Sequence, residues 1–264
     1  MSGDLLAVEG ITVRIGGLTA LADMGFRVPA GRIVSLIGPN GAGKTTAFNV
    51  ITGYMAPPHG RILFEGQDLV GLRPEAFAAR GVVRSFQRAS VFGDCTTFDN
   101  AMMALHQRGG AGVLGALLRP PAVRREEARL RQEAAALLDF VALAPRAGTL
   151  ARSLAYGEQR RLGIALALAA GPRLLLLDEP AAGLNPSETA ECMALIQEVR
   201  RRGTTVLLVE HDMTMVMGVS DLIVVLNQGR IIASGTPEAV REHPEVVRAY
   251  LGTAPDRQIH HAQA

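Results

Sequence analysis

Short apolar runs bounded by glycine, proline and charged residues make up most of the chain, and their spacing changes twice along it. In the first part, LLAVEGITVRI, LADMGFRV and GRIVSLIG predict three strands set apart by Gly and Pro, followed by a helix from Lys44 to about Thr52. GRILFEG adds a strand and GVVRSF a short apolar segment. From about Ser90 to Arg152 the period lengthens. TTFDNAMMALHQ and PPAVRREEARLRQEAAALLDFVALA carry helical spacing and charge, joined by the glycine-containing GGAGVLGALLRPP, and the block predicts a helical insertion. After it, RLLLLD, TTVLLVE and DLIVVLNQG return to short continuous apolar runs, the first two separated by a helix near SETAECMALIQEVRRR. Runs apolar at every position are strands buried on both faces, which predicts a mostly parallel sheet covered by helices, an α/β fold.

Between the helical block and the second set of strands lies RSLAYGEQRR, residues 152 to 161, a small polar turn in front of the apolar helical run LGIALALAA. Taken alone it is a helix start, with Ser153 as candidate N-cap and Gly157 as a turn residue.

At 264 residues with 48% hydrophobic content, the chain is long enough for one large domain or a core with a subdomain. A formal net charge of +2 from 27 basic and 25 acidic residues demands neither nucleic acid nor anionic lipid as partner. Cys95 and Cys192 are far apart and outside any CxxC, so reduced structural thiols are expected rather than zinc ligands or a disulfide. The start MSGDLLAVEG has no basic segment followed by an apolar core, and the longest apolar stretch is interrupted by Pro172 and Arg173; neither signal peptide nor membrane span is expected. Lys44 is the only lysine, which marks either a site arginine does not fill or a compositional bias. The polar tail TAPDRQIHHAQA is expected to be a solvated end rather than a metal site.

The residues Gly38, Pro39, Asn40, Gly41, Ala42, Gly43, Lys44, Thr45 and Thr46 spell GPNGAGKTT, a full match to GxxxxGK[ST] between a strand and a helix. Glycines there let backbone amides turn inward around phosphate oxygens, and the helix N-terminus adds partial positive charge. Lys44 reaches the β and γ phosphates and the Thr45 hydroxyl ligates Mg2+. In LLLLDEP a buried strand ends in two acids: Asp178 to hold Mg2+, commonly through water, and Glu179 to orient and polarise the attacking water. Together the two segments predict hydrolysis of a nucleoside triphosphate.

With these residues in place, the sequence resembles the ATP-binding subunits of ABC transporters over nearly its whole length. Gln87 in RSFQ falls at the family's Q-loop, SLAYGEQRR at its signature, AAGLNP at its D-loop and His211 in LLVEHD at its switch histidine. LAYGEQRRL, LLLLDEPAAGLNP, VEHDM and the ending VVRAYLG are similar to the LivG-like branch of branched-chain amino acid importers. The resemblance implies a P-loop, RecA-like core with an antiparallel β subdomain and an inserted α-helical subdomain. The corresponding division is core with β subdomain over 1–87, helical signature subdomain over 88–156, core again over 157–252 and a flexible tail over 253–264. It further implies ATP and Mg2+ as ligands, with Gln87 added to Thr45 and Asp178 around the metal. ATP would lie between two subunits arranged head to tail, so that Lys44, Thr45, Asp178, Glu179, Gln87 and His211 of one face Leu154, Ala155, Tyr156, Gly157, Glu158 and Asn185 of the other. The second subunit would be LivF-like or a second copy. Transmembrane permease subunits would follow as partners, with an extracytoplasmic binding protein indirectly, at the cytoplasmic face of the inner membrane.

Several positions depart from the family's commonest pattern. The signature LSGGQ reads LAYGE here, so Ala155 lacks a hydroxyl that usually contacts phosphate, and Glu158 sets a carboxylate near an anion unless it points away or pairs with Arg160 or Arg161. Asn185 stands where aspartate is usual in the D-loop. Ile15 falls at the position that often stacks an aromatic ring on adenine, so modest base selectivity is expected. Two other functions are compatible with a cassette of this kind: a soluble ABC-type ATPase in DNA repair or translation, whose long coiled coils or second cassette 264 residues do not hold, and a scaffold that binds ATP without hydrolysing it, against which Glu179 and His211 speak.

Overall fold

The computed structural model describes residues 3–85, 91–106 and 121–251. Two sheets share the molecule. The first is antiparallel: β1 (Asp4–Ile15) and β2 (Leu18–Pro29) form a long hairpin, and β4 (His59–Phe64) and β5 (Gln67–Asp68) extend it in the order β2-β1-β4-β5. Buried and exposed positions alternate over most of β2, as expected of a sheet with one face on the core and one in solvent.

The second sheet has six strands in the order β10-β9-β3-β8-β7-β6. Its members are β3 (Ile33–Ile37), β6 (Val82–Ser85), β7 (Leu174–Asp178), β8 (Thr205–Val209), β9 (Leu222–Asn227) and β10 (Arg230–Gly235). All neighbours are parallel except β9 and β10. Every residue of β3 and β8 is buried, as are the four leucines of β7, which is why these segments read as unbroken apolar runs. The carboxyl ends of β3, β7 and β8 lie side by side, with Leu36 opposite Val209 and Asp178 opposite Val209. In open parallel sheets ligands bind at that edge.

The helices are α1 (Lys44–Ile51), α2 (Pro74–Ala79), α3 (Thr97–His106), α4 (Pro121–Phe140), α5 (Tyr156–Ala169), α6 (Pro186–Arg201), α7 (Met213–Val219), α8 (Pro237–Arg241) and α9 (Pro244–Leu251). One apolar cluster joins the antiparallel sheet to α1 through Leu6, Leu21, Phe48 and Ile62. A second runs from Ala101 of α3 and Leu130 and Leu138 of α4 through Leu162 of α5 to Leu175 and Leu208 in the parallel sheet. The helical block is therefore cemented to the sheet through α5, the helix that carries the signature turn at its N-terminus. No helix among the described residues is long and apolar enough to cross a membrane.

Candidate functional site

The P-loop begins where β3 runs out of core. A side chain at Gly38 would put a Cβ 2.0 Å from the carbonyl oxygen of Leu226, so the chain leaves β3 past β9 only as glycine. Gly43, the N-cap of α1, has φ 105°, and a Cβ there would lie 2.6 Å from the carbonyl oxygen of Ala20. Between them the loop opens onto a cleft of about 450 Å³ lined by Asn40 to Thr46, Leu18, Thr19, Ala20, Glu179 and Gln228. Lys44 folds back over the loop, its Nζ donating to the carbonyl oxygens of Gly38 at 2.6 Å and Pro39 at 3.1 Å. Burial pushes the Lys44 ammonium below its ordinary value, and the Glu179 carboxylate partly offsets this. The β1–β2 hairpin forms the outer wall. Leu18, 73% exposed, faces the cleft, whereas Ile15, opposite it in the hairpin register, is not among the lining residues.

Across the loop, β7 ends at Asp178, whose Oδ2 accepts from Nη2 of Arg84 at 2.6 Å. Glu179 follows in the left-handed region with φ 46°, a strained conformation for a glutamate, held by its amide donating to Val209 at 2.8 Å. That turn brings its carboxylate to 3.5 Å from Nδ1 of His211. A carboxylate and an imidazole thus stand side by side at the edge of the cleft that Glu179 lines.

Glu210, which the sequence did not single out, underlies this pair. Fully buried, it accepts from the amide of Ala181 at 2.8 Å through one oxygen, and from the amides of His211 at 2.9 Å and Asp212 at 3.2 Å through the other. One side chain thus ties the segment after Glu179 to the segment that carries His211. The signal was present in VEHD as an acid directly following an apolar strand, the pattern that also marks Asp178 and Glu179.

The signature turn lies elsewhere. Ala155, Gly157 and Glu158 line a separate hollow of about 170 Å³ with Leu184, Glu188, Glu191 and Cys192, and none of Leu154 to Glu158 lines the P-loop cleft. Ser153 is not the helix cap: it sits in a short 3-10 turn, and Ala155, with extended backbone and no side-chain acceptor, is the N-cap of α5. The capping contact comes from the far end, where Oε2 of Glu158 accepts from the Ala155 amide at 2.9 Å. The other oxygen of Glu158 takes Nε of Arg146 at 2.9 Å rather than Arg160 or Arg161. Burial pushes the Glu158 carboxyl up, but the Ala155 amide and Arg146 outweigh it and hold the group below its ordinary value. Arg161 pairs instead with Glu191 at 3.0 Å, and Arg160 donates to the Tyr156 hydroxyl at 2.6 Å.

Gly157 is pressed against α6, where a Cβ would come within 2.8 Å of Oε1 of Glu188. Tyr156 lies against Gly183 of the AAGLNP loop. Asn185 ends that loop as the N-cap of α6. Its Oδ1 accepts from the Glu188 amide and Oε2 of Glu188 accepts from its own amide, both at 3.0 Å, a complete capping box. At the other end of the chain, Val246 of α9 packs in a cluster with Ile37, and the hydroxyl of Tyr250 is pushed up by burial with a hydrogen bond to the Gly38 backbone partly offsetting it. Gln87 lies outside the described residues.

A family described as ABC transporter matches residues 21–182, and one described as Branched-chain amino acid ATP-binding cassette transporter matches residues 230–256. The chain is 48% identical over 255 residues to the high-affinity branched-chain amino acid transport ATP-binding protein LivG of Escherichia coli, covering 96% of this chain and 100% of that one. It is 47% identical, with the same coverage, to BraF of Pseudomonas aeruginosa, which carries the same description. Among solved structures, the ADP conformation of MJ1267, an ATP-binding cassette of an ABC transporter, superposes with a TM-score of 0.83 at 30% identity, covering 96% of this chain and 100% of that one.

Proposed function

The chain belongs to the ABC transporter ATP-binding family, and from that premise we propose that it is the ATP-hydrolysing subunit of an importer for branched-chain or related amino acids. The observation that carries hydrolysis, rather than binding alone, is the approach of Glu179 to His211 at 3.5 Å beside a P-loop cleft that Glu179 itself lines. The substrate class is supported by the near full-length identity to LivG and BraF and by the match over residues 230–256.

In this reading ATP fills the P-loop cleft, and Lys44 leaves the carbonyls of Gly38 and Pro39 for the β and γ phosphates. Glu179 holds and polarises the attacking water. His211 balances charge as it builds on the γ-phosphate. Phosphoryl transfer asks chiefly for such positioning and charge neutralisation. Thr45, exposed in the cleft, and Asp178 supply hard oxygen donors, a set that suits Mg2+, which keeps most of its waters and takes one or two protein ligands alongside phosphates. When bound, the ion neutralises charge on the β and γ phosphates. Gln87 completes this set by family resemblance.

The separate hollow of the signature supports a second subunit, LivF-like or a copy of this chain. Within one chain Leu154 to Glu158 do not line the nucleotide cleft, so the N-terminus of α5 serves a γ-phosphate only across a head-to-tail interface. ATP then closes the pair and hydrolysis releases it, driving permease subunits on which this subunit sits peripherally, at the cytoplasmic membrane face, with the extracytoplasmic binding protein acting through them. The test is uptake of labelled leucine in cells lacking the gene. Complementation by the wild-type gene but not by Lys44→Ala, with permease subunits co-purifying from membranes, is the expected result. Unchanged uptake in the deletion strain overturns the assignment.

A further inference from the structure

Arg84 is placed where three parts of the nucleotide site meet. It stands on β6, paired in register with Leu176 of β7, and its side chain is only 13% exposed. Nη2 donates to Oδ2 of Asp178 at 2.6 Å, and Nη1 donates to Oδ1 of Asn49 at 2.8 Å. Asn49 lies on α1 one turn beyond Thr45, so a single planar guanidinium spans the element that carries one proposed Mg2+ ligand and the residue that is the other. The same group is stacked, with Cζ 5.1 Å from the ring centroid of the buried Phe48 and 5.9 Å from that of Tyr54.

Two roles fit a cation beside Asp178. It could be a stand-in for the metal, which must leave when the metal arrives, or a brace, which must stay. A stand-in needs a mobile side chain with somewhere to go. Arg84 is held by a second hydrogen bond on α1 and by two rings, and is largely shielded from water, which favours the brace. We propose that Arg84 is a positioning residue for the cation that accompanies ATP: by fixing Asp178 and the P-loop helix in one alignment, it sets how far Mg2+ tightens nucleotide binding. Lysine does not replace it, because a point charge on a flexible stem reaches Asp178 or Asn49 but does not present a rigid fork to both.

The inference rests on Thr45 and Asp178 being the Mg2+ ligands, and the test separates the two. Calorimetric titration of the full chain with a non-hydrolysed ATP analogue, in EDTA and in excess Mg2+, gives the ratio of the two dissociation constants. Loss of an outer partner of a metal ligand typically weakens metal affinity about 10–100-fold. Arg84→Lys and Arg84→Gln should therefore each reduce the Mg2+-dependent gain about tenfold or more while affinity in EDTA stays within about twofold of wild type. Asn49→Ala cuts the tie to α1 without touching charge and should reduce the gain in the same direction, which keeps the question decidable if the Arg84 variants do not fold. An unchanged gain in Arg84→Lys or Asn49→Ala overturns the brace. A larger gain in Arg84→Gln also overturns it, since that is the signature of a competing charge. Asp178→Asn is the reference. If it abolishes the gain while the Arg84 variants do not, only the Arg84 inference fails; if it too leaves the gain intact, the cation-site reading fails and the inference with it.

Discussion

Glu158 caps its own helix from the inside, Oε2 accepting from the Ala155 amide three residues earlier while its other oxygen holds Arg146. A carboxylate at this point of the signature is thus occupied, and it adds negative charge where the helix end is positive. Replacing it by alanine should cost about 1 kcal/mol, the usual worth of a capping contact, with little from the half-exposed Arg146. Its carboxyl is held below the ordinary 4.5 in the fold, so the contribution is complete above that value and is lost as the pH falls through the lower folded value. Urea unfolding of wild type and Glu158→Ala should differ at pH 7 and converge in strong acid; a constant difference would remove the carboxylate from the explanation.

Lys44 should be dispensable for folding and indispensable for nucleotide. Its ammonium is partly buried against two backbone carbonyls, a position that costs desolvation and is put to use by phosphate. Lys44→Ala is expected to keep the wild-type melting temperature within a few degrees and to weaken ATP binding at least tenfold, on the scale of a lost charge-assisted hydrogen bond. Equal affinities for the two proteins would sink the P-loop assignment.

Glu179→Gln keeps shape and the left-handed backbone but not the basic carboxylate that meets His211. A general base contributes about 10²–10⁴-fold, so turnover should fall by that much while ATP still binds. Trapped in the ATP state, the variant should elute as dimer in a larger fraction with ATP than without. Equal fractions would count against closure of two subunits on ATP.

The sequence revealed most where the physics is local. Unbroken runs such as RLLLLD announced strands buried on both faces, and the loop GPNGAGKTT announced its strand–turn–helix setting because glycine alone passes Leu226 and Ala20. It did not reveal where side chains end up after long-range packing. Ser153 has cap chemistry yet sits two residues too early, and the capping is done by Glu158. Arg146, its partner, is twelve residues away in a segment that had no assigned role. Arg84 and Glu210 act through contacts 94 and 29 residues distant, which no spacing rule encodes. At the tip of the first hairpin Leu18, which no motif marked, lines the cleft and is the register partner of Ile15.

The two thiols should behave differently. Cys192 is buried in α6 and its pKa is pushed up to about 12, first by burial and then by the nearby Glu210 carboxylate, so thiolate is nearly absent at neutral pH. Cys95 is only partly buried. A thiol reagent at pH 8 should modify one cysteine per native chain and both in denaturant, with Cys192 the protected one by peptide mapping. Rapid native labelling of Cys192 would mean that α6 opens readily.

Glu210 offers the most demanding test, because a structural role and a positioning role for His211 have to be told apart. Three backbone amides converge on the side-chain oxygens of a glutamate with no solvent exposure, so each of these donors depends on it for its hydrogen bond. Glutamine has one oxygen where glutamate has two, so either the Ala181 amide or those of His211 and Asp212 must face an NH2 group. Leaving a buried donor unsatisfied costs about 1–3 kcal/mol, more near charge. Glu210→Gln should therefore melt several degrees lower, at about 2–4 °C per kcal/mol for a chain of this size. A purely structural role ends there. If Glu210 also holds His211 against Glu179, turnover at 20 °C, well below melting, should fall at least tenfold while ATP affinity is retained. Val199→Ala, which opens a cavity in α6 at a residue with no proposed role in the site, supplies the comparison: similar destabilisation without loss of turnover. Parallel losses of turnover in the two variants would show that stability alone explains both.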